Sequence, residues 1–148
     1  MQKDKCKDCM DAIKERRSIR RFKETPLGTD LIDELLSLAQ LAPSAGNLQS
    51  RDFVVVTEKT IKQKLTAASL NQSFIEQAPV VIVFVANIER ASRKYESRGE
   101  FYAIQDATAS VTTLLIAAQS MGINSCWVGA FDDFAVMELN KVVHRETW

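Results

Sequence analysis

The stretch from Glu100 to Met121 limits the possible folds most. Ile104, Val111 and Ala118 recur every seven residues, and so do Ala107, Leu114 and Met121. Ala103, Ala109, Leu115, Ile116 and Ala117 fall between those rows, so a helix here is apolar nearly all round. Such a helix belongs at the centre of a core or in an interface. Gly122 stands where a C′ glycine would end it. The chain has 148 residues, about one domain's worth. One domain of that size has few layers with which to bury the helix. The expectation is therefore a two-fold partner that covers it with its own copy.

Val80 to Val85 is the strongest strand, apolar without alternation, and should be covered on both faces by helices. Phe53 to Val56 is a second, shorter one. Leu31, Ile32, Leu35, Leu36, Leu38, Ala39 and Ala42 lie at helical spacing after a capping Asp30, and Pro43 stops that helix. Further helices are expected over Lys7 to Arg17 and Lys59 to Leu70, and after Asp132 or Asp133. Ala78-Pro79 should end a short helical turn, and Ser125 to Val128 should be extended. No internal repeat is visible. Mixed helices and strands point to a sheet between helical layers, in a single domain over 1–148.

Apolar residues make up 46% and charged residues 26%, which excludes a disordered or low-complexity chain. Lys and Arg number 19 and Asp and Glu 19, so net charge gives no support for a nucleic-acid partner. No apolar run approaches the ~18 residues of a membrane span. Met1 to Asp11 is too polar for a signal peptide, and three cysteines make no disulfide framework, so the cytoplasm is the expected compartment. His144 is the only histidine, which argues against catalytic triads and histidine metal sites. Cys6-x-x-Cys9 lacks a second pair, and neither G-x-G-x-x-G nor a Walker loop occurs.

Charge is nevertheless concentrated at one end. Residues 1–23 hold nine cations against four acids. Within them Arg16, Arg17 and Arg20 surround Ser18. Guanidinium forks, a hydroxyl and turn amides suit the oxygens of a phosphate monoester; a solvated basic face is the plainer alternative. Pro43-Ser44-Ala45-Gly46-Asn47-Leu48-Gln49 combines small residues with amide side chains, which match the C=O and N–H edges of a heterocycle, or simply make a turn. Trp127-Val128-Gly129-Ala130-Phe131 sets small residues between aromatics, open to close approach by a flat ligand, or packed in a core.

In this order the three patches resemble the nitroreductase family. The resemblance rests on Arg-Arg-Ser-x-Arg, then Ala-Pro-Ser-Ala-Gly-Asn-Leu-Gln before Phe-Val-Val-Val, then Ala-Pro before a second strand, then Trp-Val-Gly after the long helix. It runs from about Ile13 to Phe131. It implies an α+β nitroreductase-like fold, with a central, mainly antiparallel sheet flanked by helices, in a two-fold homodimer that binds FMN at its interface. It further implies phosphate and ribityl contacts from Arg16, Arg17, Ser18 and Arg20. Pro43, Ser44, Ala45 and Asn47 would contact the flavin from the other subunit. Asn71 stands where some members place a flavin-edge amide, and Gly129 and Ala130 match the segment that faces flavin N5. No side chain is implied as catalytic and no metal is implied.

The implied activity is hydride transfer from NAD(P)H through FMN to an electron-poor small molecule such as a nitroaromatic or a quinone, the cofactor carrying the redox chemistry. The alternatives are a flavin enzyme of the same fold with other chemistry (dehalogenation, flavin breakdown), a flavin-binding protein without turnover, and a plain anion-binding module. The sequence departs from the family in two places. The family loop usually continues Gln-Pro-Trp, where this chain has Gln49-Ser50-Arg51-Asp52. Members usually add a strand and a basic segment after the last helix. Here Met137-Glu138-Leu139 leads almost directly into Val142 to Trp148, so that segment is expected to be missing between about 137 and 140.

Overall fold

Two strands pair antiparallel at the middle of the chain. β1 (Arg51–Val56) and β2 (Val81–Ala86) set Phe53 opposite Phe84 and Val54 opposite Val83. The structure, a computed structural model, describes residues 7–142. Around the strands lie seven described helices: α1 (Cys9–Glu15), α2 (Thr29–Gln40), α3 (Lys59–Ala68), α4 (Phe74–Gln77), α5 (Ile88–Tyr95), α6 (Gly99–Ser120) and α7 (Asp133–Val142).

Successive strand residues point to opposite faces, and here each face meets its own core. Phe53, Val55, Ile82 and Phe84 pack with Ile32, Leu35, Leu36 and Ala39 of α2 and with Leu114 and Ala118 of α6. Val54, Val56, Val81, Val83 and Val85 pack with Ile61 and Leu65 of α3, Ile75 of α4, and Val136 and Leu139 of α7. Helices on both faces explain the unbroken apolar run. Burial is uneven, though: β1 is largely buried, while every residue of β2 stays partly exposed. Among the described residues β2 has a strand on one side only, so its other edge is open.

The long helix begins and ends as its glycines require. At the C-terminal end Gly122 takes φ +76°, the Ile123 amide donates to the Ala118 carbonyl at 2.8 Å, and the Gly122 amide donates to Gln119 at 3.1 Å. These are the two bonds of a Schellman cap. At the other end Gly99 packs on Ser92 of α5. A Cβ at Gly99 would meet the Ser92 hydroxyl and lie 2.5 Å from its backbone N and Cα. A side-chain rotation cannot relieve contact with backbone. Gly99→Ala is therefore expected to cost about 1–3 kcal/mol, read as a lower midpoint in urea.

One expectation for α6 is met on one side only. Ala103, Ala107, Ser110, Leu114, Leu115 and Ala118 are buried, but Phe101 is 54% and Ile104 51% exposed. The neighbours α1, α2 and α5 and the strands all lie on the buried side. Other boundaries shift slightly. Asp8 caps a shorter first helix, accepting from the Asp11 amide. Gly28 occupies the cap of α2, and Asp30 falls in its first turn, where a carboxylate still suits the helix dipole. Asp132 caps α7 through the Ala135 amide. Ser125 forms a single bridge and no strand follows it. α7 runs as helix through 137–140.

Candidate functional site

The basic turn follows α1. The backbone of Ser18 forms a parallel bridge with Ser125, and the Ile19 amide donates to the Ser125 carbonyl at 3.0 Å. This ties the turn to the segment leading into Gly129. The three arginines are not equivalent. Arg17 turns back, donating from Nη1 to the carbonyls of Lys14 (2.7 Å) and Arg16 (2.8 Å), where it caps the end of α1. Arg20 lies 6.0 Å over the Phe74 ring. The side chains of Arg16 and Ser18 make no hydrogen bond or ion pair among the described residues.

Two further predicted elements come to the same place. Asn71, at φ +57°, follows Leu70 at φ +56°, and its amide donates to the Thr66 carbonyl at 3.0 Å. Gln72 then bridges the carbonyls of Ser69 (2.9 Å) and Ala130 (3.1 Å), while the Asp132 amide reaches Ala68 at 2.8 Å. Gly129 and Ala130 are exposed, and a Cβ built at Gly129 would meet nothing. Arg16, Ser18 and Arg20 stand in a turn bridged to Ser125, and Asn71 in a turn bonded through Gln72 to Ala130, so both turns border the 125–130 segment and its bare Gly129; together they make the first patch. A terminal phosphate and a flat ring fit that donor set.

Pro43, Ser44, Ala45 and Asn47 belong to a second patch. No hydrogen bond, ion pair or ring contact among the described residues joins it to the first. The loop leaves α2 and turns back into β1 through three left-handed residues, Gly46, Asn47 and Gln49, at φ +55°, +56° and +50°. It is anchored on α6 at Asp106, whereas the first patch follows that helix's C-terminal end. Asp106 and Ser120 are 14 residues apart, about 21 Å along the axis.

Two buried charges bracket this loop. Asp106 is 3% exposed; Oδ1 accepts from the Ala45 amide at 2.9 Å and Oδ2 from the Ser50 amide at 3.1 Å. Arg51 is 1% exposed and donates to the carbonyls of Gln40 (2.7 Å), Ala42 (2.8 Å) and Pro43 (3.3 Å). Arg51 thus serves the carbonyl end of α2, in a place where the family pattern has an aromatic. Burial lowers its pKa from the ordinary arginine value, and the Asp106 charge opposes that. The Ser44 hydroxyl accepts from the Gln49 amide at 2.9 Å, and Arg90 of α5 donates to the Gln49 carbonyl at 2.6 Å. Arg51, Gln72, Arg90 and Asp106 are absent from the predicted site; of these only Asp106, the one charge in α6 beyond its first turn, leaves a sequence signal.

A cleft of about 300 Å³ beside Glu24, Leu27, Lys62 and Val80 contains none of the predicted site residues. His144 and Cys6 lie outside the described residues, and Cys9 is exposed and free. Among the described residues no three or more His, Cys, Asp or Glu side chains gather as they would around a metal ion. No described helix is long and apolar enough to cross a membrane.

A helical α+β chain with an exposed basic turn and a separate amide loop defines a recognisable class. The profile of the Nitroreductase family matches residues 13–73 and 62–145. A relative from Archaeoglobus fulgidus is 32% identical over 124 residues, which cover 84% of this chain and 68% of its own length. An NADH dehydrogenase of Thermus thermophilus is 43% identical over 84 residues, covering 57% of this chain and 41% of the relative. An FMN-dependent nitroreductase structure from Clostridium difficile has 27% identity and a TM-score of 0.77, over 90% of this chain and 78% of the other. The B. megaterium NfrA2 structure gives 26% and 0.83, over 90% of this chain and 60% of its own. The chain belongs to the Nitroreductase family. It spans between 41% and 68% of the length of the first curated relatives it matches.

Proposed function

We propose that this protein is an FMN-dependent NAD(P)H oxidoreductase that works as a homodimer, on an electron-poor acceptor of the nitroaromatic or quinone class. The observation that carries the reading is the basic turn: the Arg16 and Ser18 side chains have no partner among the described residues, Arg20 is exposed, and the turn is bridged at Ser125 to the segment that bears the bare Gly129. Relatives named FMN reductase from Bacillus subtilis support it, at 27% and 28% identity over 83% and 90% of this chain. The cytoplasm, where NAD(P)H is available, is the proposed compartment.

Arg16, Ser18 and Arg20 would hold the phosphate, and the amides of Gly129 and Ala130 would approach the ring edge, with Asn71 beside it. Bound FMN supplies the hydride and electron chemistry. The protein's part would be to bind and orient the cofactor. Pro43, Ser44, Ala45 and Asn47 would complete the site from the second subunit. The spacing of the two patches along α6 and the uncovered Phe101 and Ile104 both favour that arrangement.

Reconstituted protein is expected to be yellow, and to release FMN, and no FAD, on heating. A single arginine cluster suits one terminal phosphate, and the chain has no glycine-rich pyrophosphate loop. Chromatography of the released cofactor checks this; recovery of FAD, or of no flavin, overturns the reading. Oxidation of NADPH that depends on added quinone then separates an enzyme from a flavin-binding protein without turnover.

A further inference from the structure

We infer that Asp106 is a positioning residue for the flavin-facing loop, its two carboxylate oxygens fastening both ends of the Ala45–Ser50 turn so that Asn47 is presented in its left-handed conformation. The inference rests on the FMN reading of the site.

The loop does not hold this shape by itself. Gly46, Asn47 and Gln49 all have positive φ within four residues, a conformation that residues with side chains rarely adopt. Left to itself such a turn relaxes, so its shape is imposed from outside. Arg51 fixes the entry by bonding Gln40, Ala42 and Pro43, and Arg90 holds the Gln49 carbonyl. Among the described residues only Asp106 reaches both Ala45 and Ser50, on either side of the left-handed residues.

Nothing in the packing of α6 asks for a carboxylate here. Ala103, Ala107 and Ser110 surround it on the same buried face. A buried charge is costly unless bonded and compensated. Here the amides of Ala45 and Ser50 supply the bonds, and the buried Arg51 guanidinium supplies the opposite charge. Asn47 itself is exposed, and among the described residues its side chain makes one long hydrogen bond, Oδ1 accepting from Gln49 Nε2 at 3.4 Å. Its direction is therefore set by the backbone that Asp106 holds.

The test compares Asp106→Asn with Leu114→Ala, a core truncation on the same helix. Asparagine is nearly the same size but has one acceptor oxygen; its NH₂ would face a backbone N–H that needs an acceptor. FMN is titrated by flavin fluorescence, and amide exchange of Ala45 and Ser50 is followed by NMR in the FMN-free protein. Asp106→Asn is expected to weaken FMN by about 10- to 100-fold and to speed exchange at both amides, while Leu114→Ala lowers stability but keeps FMN affinity within about threefold of wild type. Should Asp106→Asn not fold, Asp106→Glu keeps the charge, displaces both oxygens by one methylene and carries the same expectation. If wild type binds no FMN, the proposed function fails and this inference falls with it. If wild type binds FMN and the Asp106 variant binds it equally well, the positioning role alone is overturned. Equal weakening in the Asp106 and Leu114 variants also overturns it, because the role is then structural.

Discussion

Replacing Arg16 and Arg20 together with alanine is expected to weaken FMN binding by at least about 100-fold, and to leave unfolding of the FMN-free protein almost unchanged. Each charge-assisted hydrogen bond to phosphate is worth about 1.5–3 kcal/mol, and 1.4 kcal/mol is tenfold in affinity. Neither side chain carries the fold. Arg16 has no partner among the described residues, and Arg20 is an exposed cation over Phe74, a contact worth about 0.5–1 kcal/mol. Arg17 should behave differently: its guanidinium serves the carbonyls of Lys14 and Arg16, so its loss should show in α1 as well. Fluorescence titration beside urea unfolding separates the two effects. An affinity within twofold of wild type would show that the phosphate lies elsewhere. The same variant tests the shared site. Mixed with an Asn47→Ala chain, it should form heterodimers in which one site has an intact basic turn and an intact loop. Flavin binding should then return to about half the sites of the heterodimers. Proven heterodimers with no recovery would put both patches of a site on one chain.

Phe53→Ala is expected to cost about 3–5 kcal/mol, the range for an aromatic truncated in a core. Phe53 is 2% exposed and meets Phe84 edge to face at 5.1 Å. It is the β1 residue at which α2 and α6 converge, with Leu36, Ala39, Leu114 and Ala118 around it. Those neighbours belong to different elements, so the cavity cannot close by moving one side chain. Phe134 is the contrast: it is 82% exposed on α7, and its truncation should change stability by no more than about 0.5 kcal/mol. Urea unfolding at one fixed protein concentration checks both, since coupled folding and association would otherwise shift the midpoints. Equal effects at the two positions would contradict the burial on which the fold description depends.

Periodicity and punctuation made much of this fold legible before any coordinates. The seven-residue rows of α6, the Gly122 cap and the unbroken apolar run of β2 are local signals, and each appears within a residue or two of its expected place. The partial exposure of β2 was not legible, because it depends on which strands lie beside it and not on its own residues. Asp30 reads as a cap by residue type, but the cap falls two residues earlier, at Gly28. In the site, the small-residue and amide segments were visible as composition. The direction of Arg17 was not, since a guanidinium can serve a carbonyl as readily as an anion. Arg51 and Asp106 were invisible as a pair because 55 positions separate them; only the fold brings their charges to the same loop.

The distance between the two anchor points on α6 also carries a genetic consequence. Asp106 fixes one patch and the turn after Ser120 leads to the other, with unbroken helix between them. Deleting one residue from that interval would shorten it by about 1.5 Å and rotate one end against the other by about 100°. In a two-fold assembly both sites would lose their register at once. A substitution on the exposed stripe of Phe101 and Ile104 keeps that phase. Within α6, insertions and deletions between codons 106 and 120 should thus be tolerated far worse than substitutions at exposed positions of the same helix, whatever the hydrophobicity of the inserted residue.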